Sequence, residues 1–208
     1  MVLPHGVASH HAERFVSEKR LWIERSLKRF SAIDHERCSE TGGARPSAVR
    51  LDAAGLSLPV CYQATGSSNI RISEKGGELL LRGCTEDGEQ VIRALQRWLK
   101  SKGRELLPQM LADLALKHGY SYEKVTVRLQ KSRWGSCTRK GHISLNAKLL
   151  LLTPELCRYV MLHELAHLKH LNHSPLFWTT VERSDPDYRE HMSQMRQVTG
   201  RLPKWVER

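Results

Sequence analysis

The segment from Thr153 to Leu171 constrains this chain more than any other. Thr153 is a good N-cap, Pro154 suits the first helical position and Glu155 places negative charge in the first turn, so a helix is expected from about 154 to about 171. Its apolar residues, Leu156, Tyr159, Val160, Leu162, Leu165 and Ala166, mark a helix packed into a core. Glu164 sits among them, and a charged group withdrawn from water needs a partner. His163-Glu164-Leu165-Ala166-His167 offers one, because histidines four apart lie on one helical face where both imidazoles reach a single ion. Glu164 adjoins that face and is placed to meet water on the ion.

A catalytic zinc takes three protein ligands and keeps one position open. His170 lies seven residues after His163, a climb of about 10 Å along a straight helix, which is too far for both to share one ion and leaves His170 flanking the site. His173 follows Leu171-Asn172, and a helix that stops there lets the chain fold back and present it. Asn172 tolerates the left-handed conformation that such a stop uses. Glu182 and Glu190, on a later helical stretch, stand as alternative third ligands, since a carboxylate also serves zinc.

The remainder reads as layers around this helix. Residues 8–30 carry apolar positions at helical spacing, and 31–46 turn polar around Gly42-Gly43 and Pro46, a linker or a segment able to close over a site. Between 49 and 84, short apolar runs at Leu56 to Tyr62, Asn69 to Ile72 and Glu78 to Leu81 predict a small antiparallel meander. Helical stripes follow through Val91, Leu95 and Leu99 and through Leu106, Met110 and Leu114 to Gly119, with Pro108 expected to divide or kink them or to begin the second helix. Val125, Val127 and Leu129 alternate as a strand, and His142 to Asn146 form another after the turn at Arg139-Lys140-Gly141.

The pattern is α+β: an accessory part over 1–87 (helix, linker and β-rich layer), then a core over 88–208 in which the H-E-x-x-H helix packs on a small sheet. The five cysteines form no C-x-x-C pair and read as reduced thiols. No apolar run approaches the roughly 20 residues that cross a bilayer, and the N-terminus lacks a secretory pattern, so a cytoplasmic protein without membrane contact is expected. Lys and Arg number 33 against 22 Asp and Glu, a net +11 that raises affinity for polyanions without forming one basic block.

Arg133-Trp134-Gly135-Ser136-Cys137, Ile143-Ser144-Leu145-Asn146, the run from His163 to His167, Asn172-His173-Ser174 and Phe177-Trp178, in this order, resemble the YgjP-like metallopeptidase family, relatives of the SprT-like and WLM-type zinc peptidases. The resemblance implies a zincin-like core with His163, His167 and His173 on zinc and Glu164 catalytic. The family pattern places basic, β-forming segments before the helix at 8–30, and Val2-Leu3-Pro4 matches the end of such a strand, so a truncated start or a smaller N-terminal sheet is expected. Metzincin peptidases share the ten-residue offset from first to third histidine but carry a glycine where this chain has His170, so the turn here must differ.

The expected chemistry is hydrolysis of a peptide or protein by zinc-activated water with Glu164 as general base. Tyr188 is a candidate oxyanion donor, with a core tyrosine as the bland alternative. Strand Ile143–Asn146 would pair with an extended substrate, and Arg133 and Asn146 would border the groove. In the same loop, Trp134 reads as core, Gly135 as a special backbone angle and Cys137 as inert. Two other readings are a nucleotide or phosphoanhydride hydrolase that keeps the metal and draws on Arg128, Lys131, Arg133 and Arg139, and a protease or binding module associated with nucleic acid.

Overall fold

The computed structural model describes residues 45–198 and 200–207. The helix expected over 8–30, the polar stretch after it as far as residue 44, and the question of an N-terminal sheet lie outside the described residues.

Four strands form the first sheet: β1 (Ala48–Leu51), β2 (Leu56–Ala64), β3 (Arg71–Lys75) and β4 (Glu78–Gly83), in the order β1-β2-β4-β3. The expected antiparallel meander is corrected here, because β2 and β4 run parallel. Gly76 and Gly77, at φ 63° and 79°, make a two-residue turn that closes β3 onto β4 as a hairpin. Of that pair β4 is the apolar strand, with Leu79 and Leu81 fully buried, whereas β3 carries Arg71, Glu74 and Lys75. Burial draws β4 to the inside next to β2 and leaves the charged strand at the edge, where its unpaired backbone is protected from aggregation.

Helix α1 (Gly88–His118) is held at both ends by its sequence. The Asp87 carboxylate accepts from the backbone N–H of Glu89 and Gln90 at 3.0 and 3.1 Å, and Gly119 closes the helix at φ 67°. Pro108, expected to divide or kink this stretch or to begin a new helix, lies inside one continuous helix. A mid-helix proline costs about 3 kcal/mol. The buried stripe Leu99, Gly103, Leu107 and Leu111 runs past it on both sides, and packing along that stripe offsets the lost hydrogen bond. Gly103 is small for a reason: a Cβ there would stand 3.0 Å from the Cβ of Ala147 and 3.1 Å from Val127, so the helix can lie close against the second sheet.

That sheet has the order β5-β7-β6, from β5 (Lys124–Arg128), β6 (Gly135–Cys137) and β7 (His142–Asn146). Strand β7 is central, parallel to β5 and antiparallel to β6, with Ile143 and Leu145 buried beneath it. A 3₁₀ turn, Ala147–Leu151, leads to α2 (Pro154–Ala166), capped by the Thr153 hydroxyl as its sequence predicts. Cys157, Tyr159, Val160, Met161, Leu162, Leu165 and Ala166 are all buried, so α2 is covered on every side. Its neighbours include β6, α1, α3 (Pro175–Ser184) and α4 (Tyr188–Val198), and the described chain ends in the short α5 (Lys204–Glu207). The architecture is α+β, with the H-E-x-x-H helix packed on a small sheet.

Candidate metal centre

Helix α2 stops at Ala166, five residues short of the expectation, with His167 as its C-cap in ordinary right-handed geometry. Tight backbone bonds from Leu168 to Leu165 and from Lys169 to Ala166 turn the chain. The Nδ1 of His167 hydrogen-bonds the carbonyl of His170 at 3.0 Å. No described non-glycine residue has positive φ, so the left-handed role expected of Asn172 is corrected, and the absence of a glycine at His170 finds its explanation in this bonded turn. Ser174 then caps α3 through its hydroxyl, with Pro175 at the first helical position.

The turn delivers His173 back to the end of α2. Ligand nitrogens of His163, His167 and His173 all lie within 4.8 Å of one another, and the Nε2 atoms of His163 and His173 are 3.1 Å apart. Tetrahedral zinc with bonds of about 2.0–2.1 Å places its ligand atoms roughly 3.3 Å apart, so the cluster fits such an ion with small adjustments. The Nδ1 contact to the His170 carbonyl leaves the Nε2 lone pair of His167 for a metal, the usual orienting bond of a ligating histidine. Beneath the cluster lies Phe177, fully buried, its ring 4.9, 4.6 and 4.8 Å from those of His163, His167 and His173. Trp178 stacks on His173 and, on its other side, on Tyr188. Burial first, then the neighbouring His167 and His173, pushes the pKa of His163 down to about 3. His167 is lowered too, chiefly by burial, with its bond to His170 opposing. Both shifts favour the neutral ring that a metal requires.

Glu164 is 6 % exposed, and burial raises its pKa to about 7. Its Oε2 is buried and makes no hydrogen bond to the described residues. Strand β6 passes close to this carboxylate. A Cβ on Gly135 would stand 2.6 Å from Glu164 Cγ and 2.7 Å from Oε1. Gly135 is not among the glycines with positive φ, so the backbone-angle reading is corrected: the glycine is there to make room for Glu164. Gly135→Ala is therefore expected to displace the carboxylate and slow hydrolysis about 10- to 100-fold while metal content stays unchanged. Turnover measured alongside elemental analysis checks this, and equal loss of metal would show that the residue acts elsewhere.

The other expected residues separate clearly. Arg133 lines a cavity of about 370 Å³ together with Trp134, Gly135, Tyr159, His163 and Glu164. Asn146 is buried and lines a neighbouring cavity of about 540 Å³. Its amide donates to the carbonyls of Gln130 and Arg133 at 2.9 and 2.7 Å and accepts from the N–H of Lys148 at 3.2 Å, which clamps the loop leading into β6. Tyr188, 4 % exposed, supports Trp178 and lines an adjoining cavity. Glu182 and Glu190 are exposed and stand apart from the histidine cluster, and Glu190 accepts from Gln194. Burial and the nearby Glu164 push the Cys137 thiol up to about 11, in keeping with an inert cysteine. Among the described residues no other group of three or more metal-ligating side chains gathers.

Sequence reasoning assigned no site role to Tyr159 or to Met192, Met195 and Arg196 of α4, which wall the same cavity. Tyr159 was within reach, since it precedes His163 by one helical turn and its ring lies 6.0 Å from it. The α4 residues carried no local signal.

An α+β fold with an H-E-x-x-H helix and this site chemistry defines a hydrolase of the metallopeptidase type. The chain belongs to the YgjP-like family: the YgjP-like, metallopeptidase domain matches residues 1–198. Among solved structures it is similar to the metallopeptidase zymogen of Pyrococcus abyssi abylysin, at 30 % identity over 44 % of this chain and 93 % of that one, TM-score 0.40. It is also similar to the metallopeptidase zymogen of Methanocaldococcus jannaschii jannalysin, at 19 % identity over 44 % and 95 %, TM-score 0.39. No curated protein matches. No helix among the described residues is long and apolar enough to cross a membrane.

Proposed function

We propose that this chain is a zinc peptidase in which His163, His167 and His173 hold the ion and Glu164 is the general base. The observation that carries the reading is the gathering of three imidazoles within 4.8 Å beside a buried glutamate. When bound, zinc supplies Lewis acidity, activating water at neutral pH and polarising a carbonyl. Glu164 takes the proton of the attacking water and returns it to the departing amine. Gly135 and the β6 backbone fix where that carboxylate sits, and Tyr159, Val160, Met192 and Met195 give the cavity apolar walls.

Strand β7 cannot receive an extended substrate, as its sequence first suggested, because β5 and β6 already occupy both its edges. Among the described residues the edge strand of this sheet beside Glu164 is β6, and Gly135–Cys137 is the segment we assign to pairing with substrate backbone. The test is elemental analysis of the purified chain beside a Glu182→Ala, Glu190→Ala double variant, with peptide hydrolysis followed before and after chelation. Near-stoichiometric zinc in both proteins, and hydrolysis that a chelator removes and zinc restores, is expected. A chain that takes up no zinc when it is supplied, or that loses it in the double variant, would sink the proposed centre.

A further inference from the structure

Three cavities adjoin at the candidate centre. The middle one, about 370 Å³, holds His163 and Glu164. It shares Met192 and Arg196 with a cavity of about 520 Å³ on one side, and Arg133 and Trp134 with one of about 540 Å³ on the other. The three cavities thus share wall residues in turn, with Glu164 lining the middle one. Ligand pockets typically span roughly 300–1,000 Å³, so the central cavity suits one side chain and the flanking ones the residues next to it.

The charges along these cavities are uneven. Lys131, Arg133 and Lys148 line one flank, and Arg189 and Arg196 the other, against Glu164 and Glu182 as the carboxylates. Elsewhere in the described chain Arg45 pairs with Glu86, Lys102 with Glu74 and Arg158 with Asp185. Arg133 and Arg196 are exposed and have no carboxylate partner among the described residues. They are also the two cations on the wall of the cavity that holds Glu164.

We infer that the cleft selects polypeptide segments with carboxylate side chains on either side of an apolar residue, through Arg133 and Arg196. This rests on the peptidase reading above and names the substrate class of the same site. Trp134, Tyr159, Val160, Met192 and Met195 receive the apolar residue, while the two guanidinium groups, planar forks matched to carboxylates, take its acidic neighbours. A nucleic-acid strand fits less well, because its unbroken row of phosphates would have to pass Glu164 and Glu182, whereas carboxylates spaced along a peptide fall between them.

The experiment uses the zinc-loaded full chain carrying Glu164→Gln to prevent turnover, and three fluorescent ten-residue peptides with a central leucine flanked by Glu, Gln or Lys. In fluorescence anisotropy the Glu peptide is expected to bind about 10-fold more tightly than the Gln peptide, the Lys peptide most weakly, with the spread narrowing as salt rises. Adding Arg133→Ala or Arg196→Ala should each weaken the Glu peptide about threefold and leave the Gln peptide unchanged. Equal binding of the Glu and Gln peptides, no binding of any, or displacement by a DNA oligonucleotide at lower concentration than by unlabelled Glu peptide would overturn the inference. The wild-type chain, given the same peptides, separates the two levels. Cleavage without acidic preference removes the inference and leaves the peptidase standing, whereas bound peptides that are never cleaved remove both.

Discussion

Replacing His173 with alanine is expected to empty the metal centre while leaving the fold in place. His173 is exposed and lies in the turn between α2 and α3, so its side chain touches the core only at its margin, against Phe177 and Trp178. What it contributes is one nitrogen 3.1 Å from that of His163 and a ring stacked on Trp178. Two histidines cannot enclose an ion as three do, and since losing even an orienting neighbour of a ligand weakens a metal by about 10- to 100-fold, losing the ligand should weaken zinc by more than about 100-fold. Elemental analysis should find the variant largely free of zinc. The stabilisation that zinc gives the wild-type chain, visible as a drop in Tm on chelation, should vanish in the variant. Full zinc content in His173→Ala would place the third ligand elsewhere.

The second large effect belongs to Glu164→Gln. Glutamine keeps the shape and fills the same space against Gly135, but it cannot accept the proton of water. A loss of about 10²- to 10⁴-fold in turnover is expected, with zinc retained in full. Stability should hold or rise slightly, because a buried carboxylate with an oxygen lacking a hydrogen bond is exchanged for a neutral group. Turnover within a few-fold of wild type would remove Glu164 from the chemistry, and loss of zinc would make it a ligand instead of a base.

Much of this was legible because it is written in local chemistry. Thr153, Pro154 and Glu155 specify the start of α2 from three adjacent residues, and Gly119 does the same for the end of α1. The four-residue offset of His163 and His167 places their rings together on any helix. Local signals misled where packing outweighed them. Pro108 sits inside α1 because the buried stripe runs past it, and α2 ends early because backbone bonds and His167 close a turn that no left-handed residue marks. Gly135 was noticed, but the reason for it, the carboxylate of a residue 29 positions later, is a contact between strand and helix.

The sequence by itself determined the α+β class, the capped helix and the placing of His163 and His167 on one helical face beside Glu164, since each follows from periodicity, capping or spacing within a few residues, whereas it left His173, Glu182 and Glu190 open and the folded turn brings His173 to the pair. Tertiary structure alone decided that β7 is central and β6 an edge strand, that β4 runs parallel to β2, and that Asn146 clamps a loop. It also decided that α4 brings Met192, Met195 and Arg196 to the cavity that Arg133 lines. These depend on which apolar faces bury one another across dozens of residues. That choice is made by the whole core, and no short stretch of sequence records it.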